Sequence, residues 1–170
     1  MGKVTIDAWC AAGESGDVVA AARCLASDVV AVSPLTGSFR FEGVPQVTDM
    51  LASAFEVIHD IRYHTVVGDG DTWAVFFNAV AGREPVEEAE LLRLDADGLI
   101  RELTFFGRPL PALTTVMQGI GPRLLRRQGQ PVLARVVTLA TAPLNAAVKL
   151  GERTLLPRAD PNRHGPTSTP

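Results

Sequence analysis

An α+β fold, with helices laid over one face of an antiparallel sheet and room for a cavity between the layers, is what the sequence predicts on three observations. Runs rich in β-formers at residues 61–67, 72–81, 87–94 and 99–107 follow one another with Gly or Asp-Gly at nearly every junction, which is the pattern of an antiparallel meander. Asp95-Ala96-Asp97-Gly98 is the sharpest of these junctions, because a type I turn closed by a glycine at positive φ suits a short hairpin loop. Three helical segments precede the meander, and a sheet of this size needs such a cover.

The first helix is expected at residues 4–12, where Val4, Ala8, Ala11 and Ala12 fall on one face beside Trp9. Gly13-Glu14-Ser15-Gly16 breaks it, and Asp17 stands where a cap belongs ahead of a second helix over residues 18–25. Residues 29–33 form a short β-branched run that Pro34 ends, and residues 35–42 read as a turn at Gly37 and a short return strand. The third helix is the clearest: Pro45 suits a first turn, and Val47, Met50, Leu51, Ala54, Phe55 and Ile58 recur at three- and four-residue steps. Asp60 and the β-branched residues after it open the meander. Beyond Pro109, residues 111–118 predict a short helix and Gly119-Ile120-Gly121-Pro122 an interruption. Residues 131–142 and 143–156 then predict two apolar helices, each opened by a proline. Residues 157–170 hold four prolines without apolar periodicity, the composition of a disordered tail.

A chain of 170 residues with 46% hydrophobic content can bury one sizeable core, since a domain near this size hides roughly 70% of its unfolded surface. The expected division is a domain over 1–118, a helical extension over 119–156 and the tail over 157–170. No run of about 18 uninterrupted apolar residues is present and no basic-then-apolar leader opens the chain, so the expected setting is cytoplasmic. Cys10 and Cys24 are too few for a disulfide framework and read as small buried thiols. The net charge of −3 is unevenly spread: from Arg123 onward the chain is near +6, leaving the body near −9. Such a split predicts a basic tail resting on its own acidic body or a dimer mate, on another acidic partner, or on an anionic surface.

The element order, together with the strings Glu14-Ser15-Gly16-Asp17, Ala26-Ser27-Asp28-Val29-Val30, Ser33-Pro34, Glu42-Gly43 and Leu91-Leu92-Arg93-Leu94-Asp95-Ala96-Asp97-Gly98-Leu99-Ile100, resembles the nuclear transport factor 2-like superfamily. Within it, the SnoaL-like and ketosteroid isomerase-like members are the most similar, over about residues 4–115. The resemblance implies a cone of curved antiparallel sheet capped by N-terminal helices, an apolar pocket inside, and a homodimer formed through the outer sheet face. Ketosteroid isomerases carry a tyrosine seven residues before the Gly-Asp that begins the second helix, where this chain has Trp9. Their general base precedes the proline that ends the first strand, and here that position is Ser33. Their protonated second acid falls on the strand before the Arg-x-Asp hairpin, and here that position is Glu90.

These departures have chemical consequences. A serine hydroxyl without an activating neighbour cannot abstract a proton next to a carbonyl, so steroid-type isomerisation by Ser33 is not expected. Trp9 donates one N–H but cannot exchange a proton as a phenol can. The limonene-type epoxide hydrolase pattern is absent too, since Asn78-Ala79-Val80 and Phe105 occupy the regions where it would want Arg-x-Asp and a further aspartate.

Glu90 is the carboxylate to watch. Alternation along β-structure puts it on the apolar side shared by Leu92 and Leu94, where burial without a cation would raise its pKa and suit a general acid or hydrogen-bond donor. Solvation at the cone mouth or pairing with an arginine is the competing reading, and Glu87 and Glu88 read as surface charges. Ligand contacts are expected from Trp9, Ser33, Leu51, Phe55, Tyr63, Phe76, Asn78, Leu103 and Phe105. His59, His64 and His164 lack a metal-ligand spacing, and no phosphate loop, paired-cysteine motif, nucleophile elbow or basic face interleaved with aromatics is present. Neither a metal, a cofactor nor nucleic acid is therefore expected.

Two functions follow. In the first the cone binds a small apolar or carbonyl-bearing molecule, of polyketide, terpenoid or steroid-like type, with Glu90 as acid/base in an isomerase, cyclase or hydrolase reaction aided by Ser33 and Asn78. In the second the cone is a non-catalytic interaction module whose basic, apolar C-terminal helices dock a partner, a dimer mate or, as a peripheral contact, a membrane.

Overall fold

The computed structural model describes residues 2–161 and 163. Helix α1 (Gly2–Ser15) and helix α2 (Val18–Ala22) lead into strand β1 (Leu25–Val32), the two-residue strand β2 (Phe41–Glu42) and helix α3 (Gly43–Phe55). Strands β3 (Ile58–Asp69), β4 (Thr72–Ala81), β5 (Glu84–Leu94) and β6 (Ile100–Arg108) follow, then helices α4 (Leu110–Arg127) and α5 (Pro131–Thr154) and a 3-10 turn (Leu156–Ala159). The strands form one curved open sheet in the order β2-β1-β6-β5-β4-β3. The expected meander is β3 to β6, all antiparallel, while β1 returns beside β6 in parallel.

Local chemistry explains most of the boundaries. Asp17 caps α2 by accepting hydrogen bonds from the Val19 and Ala20 amides, each at 2.9 Å. At the β5–β6 turn the Asp95 side chain accepts from the Asp97 and Leu99 amides, and Gly98 takes φ 79°. Two neighbouring boundaries differ from expectation: α3 ends at Phe55, so that Ile58, expected on its apolar face, already opens β3, and α2 stops at Ala22, so that Leu25, expected at the end of that helix, starts β1 and pairs with Ile100 in the sheet. Leu25 and Ala26 are buried there, so tertiary burial outweighs the helical pattern of the preceding alanines.

The inner sheet face and the helices share one core. Ile6, Trp9 and Ala12 of α1 and Val47, Met50 and Leu51 of α3 meet Val75, Leu92, Ile100 and Leu103 from the strands. A second cluster joins Ile58, Ile61, Phe77 and Val86 to Ala112 and Val116 of α4. Helix α4 thus runs unbroken through the expected interruption at residues 119–122 and across the expected division at residue 118. Helix α5 is likewise continuous through Pro143, where two helices were expected. Pro143 is exposed, and the carbonyl it frees lies one turn back at Leu139, which is itself 75% exposed, so water can satisfy it. Of the tail expected to be disordered, residues 157–159 belong to the 3-10 turn; residues 162 and 164–170 lie outside the described residues.

Helix α5 is held on α4 by a polar cluster. The Asn145 side-chain oxygen accepts from Thr114 at 2.9 Å and Thr115 at 3.3 Å, and its amide donates to Gln118 at 2.5 Å. Asn145→Ala is expected to cost about 1–3 kcal/mol, because the half-buried Gln118 oxygen loses its donor and the Thr114 and Thr115 hydroxyls keep only the Pro111 carbonyl. Thermal unfolding checks this, with Asn145→Asp as the size-matched control. Part of the basic tail rests on its own acidic body: Arg123 and Arg127 pair with Glu56, and Lys149 and Arg153 with Glu84.

Candidate functional site

Strand β5 alternates without interruption, so Val86, Glu88, Glu90, Leu92 and Leu94 all point to the inner face. Glu90 is 3% and Glu88 6% exposed, and neither makes an ion pair with any described residue. Glu88, expected at the surface, is therefore a correction. Parity alone could have found it, since it stands two residues before Glu90. Glu87, by contrast, faces outward and pairs with Arg108.

Two elements converge on Glu90 of β5. Trp9 of α1 donates its indole N–H to Glu90 Oε2 at 2.6 Å, and the Tyr63 hydroxyl from β3 lies 3.4 and 3.5 Å from the two carboxyl oxygens. Tyr63 gets that close to α1 because residue 13 is glycine: a Cβ there would stand 2.8 Å from the Tyr63 hydroxyl. Gly107 performs the same service for Glu88, since its Cβ would fall 2.7 Å from Leu113 Cδ2 and 3.3 Å from Glu88 Cγ.

Burial dominates the electrostatics. It pushes Glu90 up to about 8, with the neighbouring Glu88 charge adding to the rise and the Trp9 and Tyr63 hydrogen bonds opposing it. Burial alone pushes Glu88 up to about 7. Tyr63 is raised well above a normal phenol by burial and then by Glu90, so it stays a neutral donor. Burial, followed by Glu90, also pushes Cys10 up to about 12, which keeps it a thiol rather than a nucleophilic thiolate. At neutral pH the site therefore presents one protonated carboxyl, Glu90, and one carboxyl near its midpoint, Glu88.

The two carboxyls look into an apolar cavity with about 80 Å³ open to the centres of water-sized molecules. Of the residues expected there, Trp9, Ser33, Leu51, Phe55, Tyr63, Glu90 and Phe105 stand on its wall. Three do not. Phe76 and Asn78 lie on the opposite sheet face from Val75 and Phe77, which pair across the strand with Glu90 and Glu88, and Asn78 is exposed. Leu103 is fully buried in the core rather than at the cavity. Phe77, Met50 and Phe41 take part instead, and Val116 and Ile120 of α4 close one side. The Ser33 hydroxyl accepts the Leu35 amide at 3.1 Å, and among the described residues no carboxylate hydrogen-bonds to it to make it a base.

No group of three or more His, Cys, Asp or Glu side chains among the described residues could hold a metal ion. His59 pairs with Asp60 at the surface, His64 bonds Thr65, and His164 lies outside the described residues.

Comparison with known proteins places this geometry in context. Residues 6–103 match the SnoaL-like domain family. Among solved structures, an uncharacterised cystatin-like-fold protein from Silicibacter pomeroyi superposes with a TM-score of 0.69 at 22% identity, covering 78% of this chain and 93% of that one. A steroid delta-isomerase from Pseudomonas aeruginosa gives 0.65 at 25% identity, covering 78% and 94%. SalBIII, an epoxide hydrolase/cyclase-like enzyme of pyran ring formation in the polyether salinomycin, gives 0.53 at 18% identity, covering 62% and 89%. No curated protein matches the sequence.

Proposed function

We propose that this chain, which belongs to the SnoaL-like domain family, binds a small apolar molecule carrying a carbonyl group and moves a proton next to that carbonyl. The observation that carries this reading is the pair of buried, cation-free carboxyls on one strand, Glu88 and Glu90, facing a single apolar cavity. The steroid delta-isomerase likeness supports the same class of chemistry.

The distances suit it. Side chains at i and i+2 on a strand face leave the backbone about 6.6 Å apart. A carbonyl oxygen about 2.7 Å from a donor, with its α-carbon about 3–3.5 Å from a base, spans a similar length. In the proposed step Glu90, protonated, donates a hydrogen bond to the carbonyl oxygen. The Glu88 carboxylate takes the α-proton, the C–H electron pair forms the enol C=C bond, and the C=O π pair moves to the oxygen that Glu90 holds. Return of the proton from Glu88 to the same or a conjugated carbon completes the cycle with no net redox change. Glu88 thus fills the role for which Ser33 lacks the chemistry.

A homodimer through the outer sheet face and a cytoplasmic setting belong to the same proposal. Supporting the first, Phe106 and Val67 are exposed on the strands.

The test is α-deuterium exchange into 1-tetralone, a bicyclic apolar ketone, followed by NMR in D2O. The wild-type protein is expected to bind the ketone, seen as a rise in melting temperature, and to accelerate exchange; Glu88→Gln should bind it equally and exchange it about 100-fold more slowly. Binding without exchange by the wild type would remove the catalytic step. Absence of binding would remove the ligand-centred reading altogether.

A further inference from the structure

The broad outer face of α5 is independent of the cavity. The helix packs on α4 through Ala134, Thr138, Thr141, Asn145 and Val148, residues spaced by three and four along one side. On the opposite side the same spacing repeats in Val132, Val136, Leu139, Pro143, Ala146 and Leu150, and all six are exposed. At 1.5 Å per residue this second stripe runs about 27 Å. Val132 is 74%, Leu139 75% and Leu150 63% exposed, values that belong to a covered surface rather than to a solvated one.

Charge says what covers it. Between Pro131 and Gly151 the only ionised groups are Arg135 and Lys149, and Glu152 is the first acid on the helix. Arg135 and Arg153 are 18 residues apart, five full turns, so both flank the stripe on the same side. Arg135 has no ion-pair partner among the described residues, and Arg126 stands exposed at the tip of the α4–α5 hairpin. A second copy of this face would bring Arg135 toward Lys149 and Arg153, whose one neighbouring acid, Glu84, both already share, while Glu152 falls on the helix side away from the stripe. A surface of anionic headgroups over acyl chains matches both the basic flank and the apolar stripe.

We propose that α5 is a lipid-docking element that lies flat on an anionic bilayer, its Val132–Leu150 stripe dipping to the headgroup boundary and Arg135 reaching back to lipid phosphates. By length and composition α5 could cross a membrane. The Asn145 cluster and the Lys149–Glu84 pair hold it instead against α4 and the sheet, which leaves one face for lipid. The binding is therefore peripheral.

Flotation of the full chain with vesicles of phosphatidylcholine, with and without phosphatidylglycerol, tests this. The protein is expected to float with the phosphatidylglycerol vesicles only and to be released by alkaline carbonate. Leu139→Asp, and separately Arg135→Glu with Arg126→Glu, should each weaken binding by about tenfold or more without changing the circular dichroism spectrum, because these side chains are exposed and make no ion pair with any described residue. Failure to float, or flotation of Leu139→Asp at wild-type level, overturns the proposal. So does retention after carbonate, which would mean a spanning helix, or a solution dimer that Leu139→Asp dissolves, which would mean that a second copy covers the stripe.

Discussion

Glu90→Gln is expected to lower turnover by about 10²–10³-fold while leaving the fold and the filled cavity in place. Glutamine matches glutamate in shape, its oxygen can keep the 2.6 Å hydrogen bond from Trp9, and its amide can still face a ligand. What it cannot do is release a proton or hold a developing oxyanion as well as a carboxyl O–H does. Binding energy and chemistry should therefore separate, with ketone affinity nearly unchanged and exchange into 1-tetralone nearly gone. Wild-type exchange in this variant would take Glu90 out of the mechanism. Because Glu88→Gln removes the base and Glu90→Gln the donor, the double variant should be scarcely slower than the worse single one, as expected of groups acting in one step.

The second large effect is on stability, and its sign follows from the direction of the shift. Glu90 has an ordinary pKa of 4.5 and one of about 8 in the fold, so folding favours its protonated form. The stability tied to this group is complete below about pH 4.5 and is lost progressively as pH rises to about 8. A shift of this size corresponds to on the order of 5 kcal/mol between the two limits. Glu88, raised to about 7, acts in the same direction over a narrower window. The melting temperature of the wild type should accordingly fall between pH 5 and pH 8, as pH rises through the folded-state pKa values. Glu90→Gln should flatten that fall and melt higher than the wild type at the alkaline end. Parallel curves for the two proteins would show that the carboxyl is ionised in the fold.

The fold was largely legible because its signals are local. Asp17, the Asp95–Gly98 turn and the α3 stripe from Val47 to Phe55 each act within a few residues and stand where the pattern placed them, while Ile58, the last residue of that stripe, falls in β3. The site was legible only where parity was unambiguous. Glu90 shares a side with Leu92 and Leu94, but Glu88 was masked by its neighbour Glu87, since two adjacent acids look like a solvated pair. In β4 five apolar residues run consecutively from Trp73 to Phe77, so no alternation of apolar and polar residues distinguishes Phe76 from Phe77. Only pairing with β5 decides which faces inward. The register shifts of β3 between His59 and Arg62 and between Tyr63 and Thr65 add to this, because a bulge resets parity without a mark in the sequence. The continuity of α4 and α5 was hidden for a different reason. Pro122 and Pro143 are breakers by propensity, but Pro122 is buried in the packed α4, and at Pro143 the carbonyl it frees lies at exposed Leu139 where water can satisfy it.

The whole scheme turns on a carboxyl that stays neutral at physiological pH inside an apolar hollow. Its most direct measurement is the ¹³C NMR titration of the side-chain carboxyls in glutamate-labelled protein. The expected result is a resonance titrating near pH 8 that vanishes in Glu90→Gln, alongside one near pH 7 that vanishes in Glu88→Gln. A spectrum in which every glutamate titrates with a midpoint near pH 4.5 and is finished by about pH 6.5, as solvated carboxylates are, would contradict it.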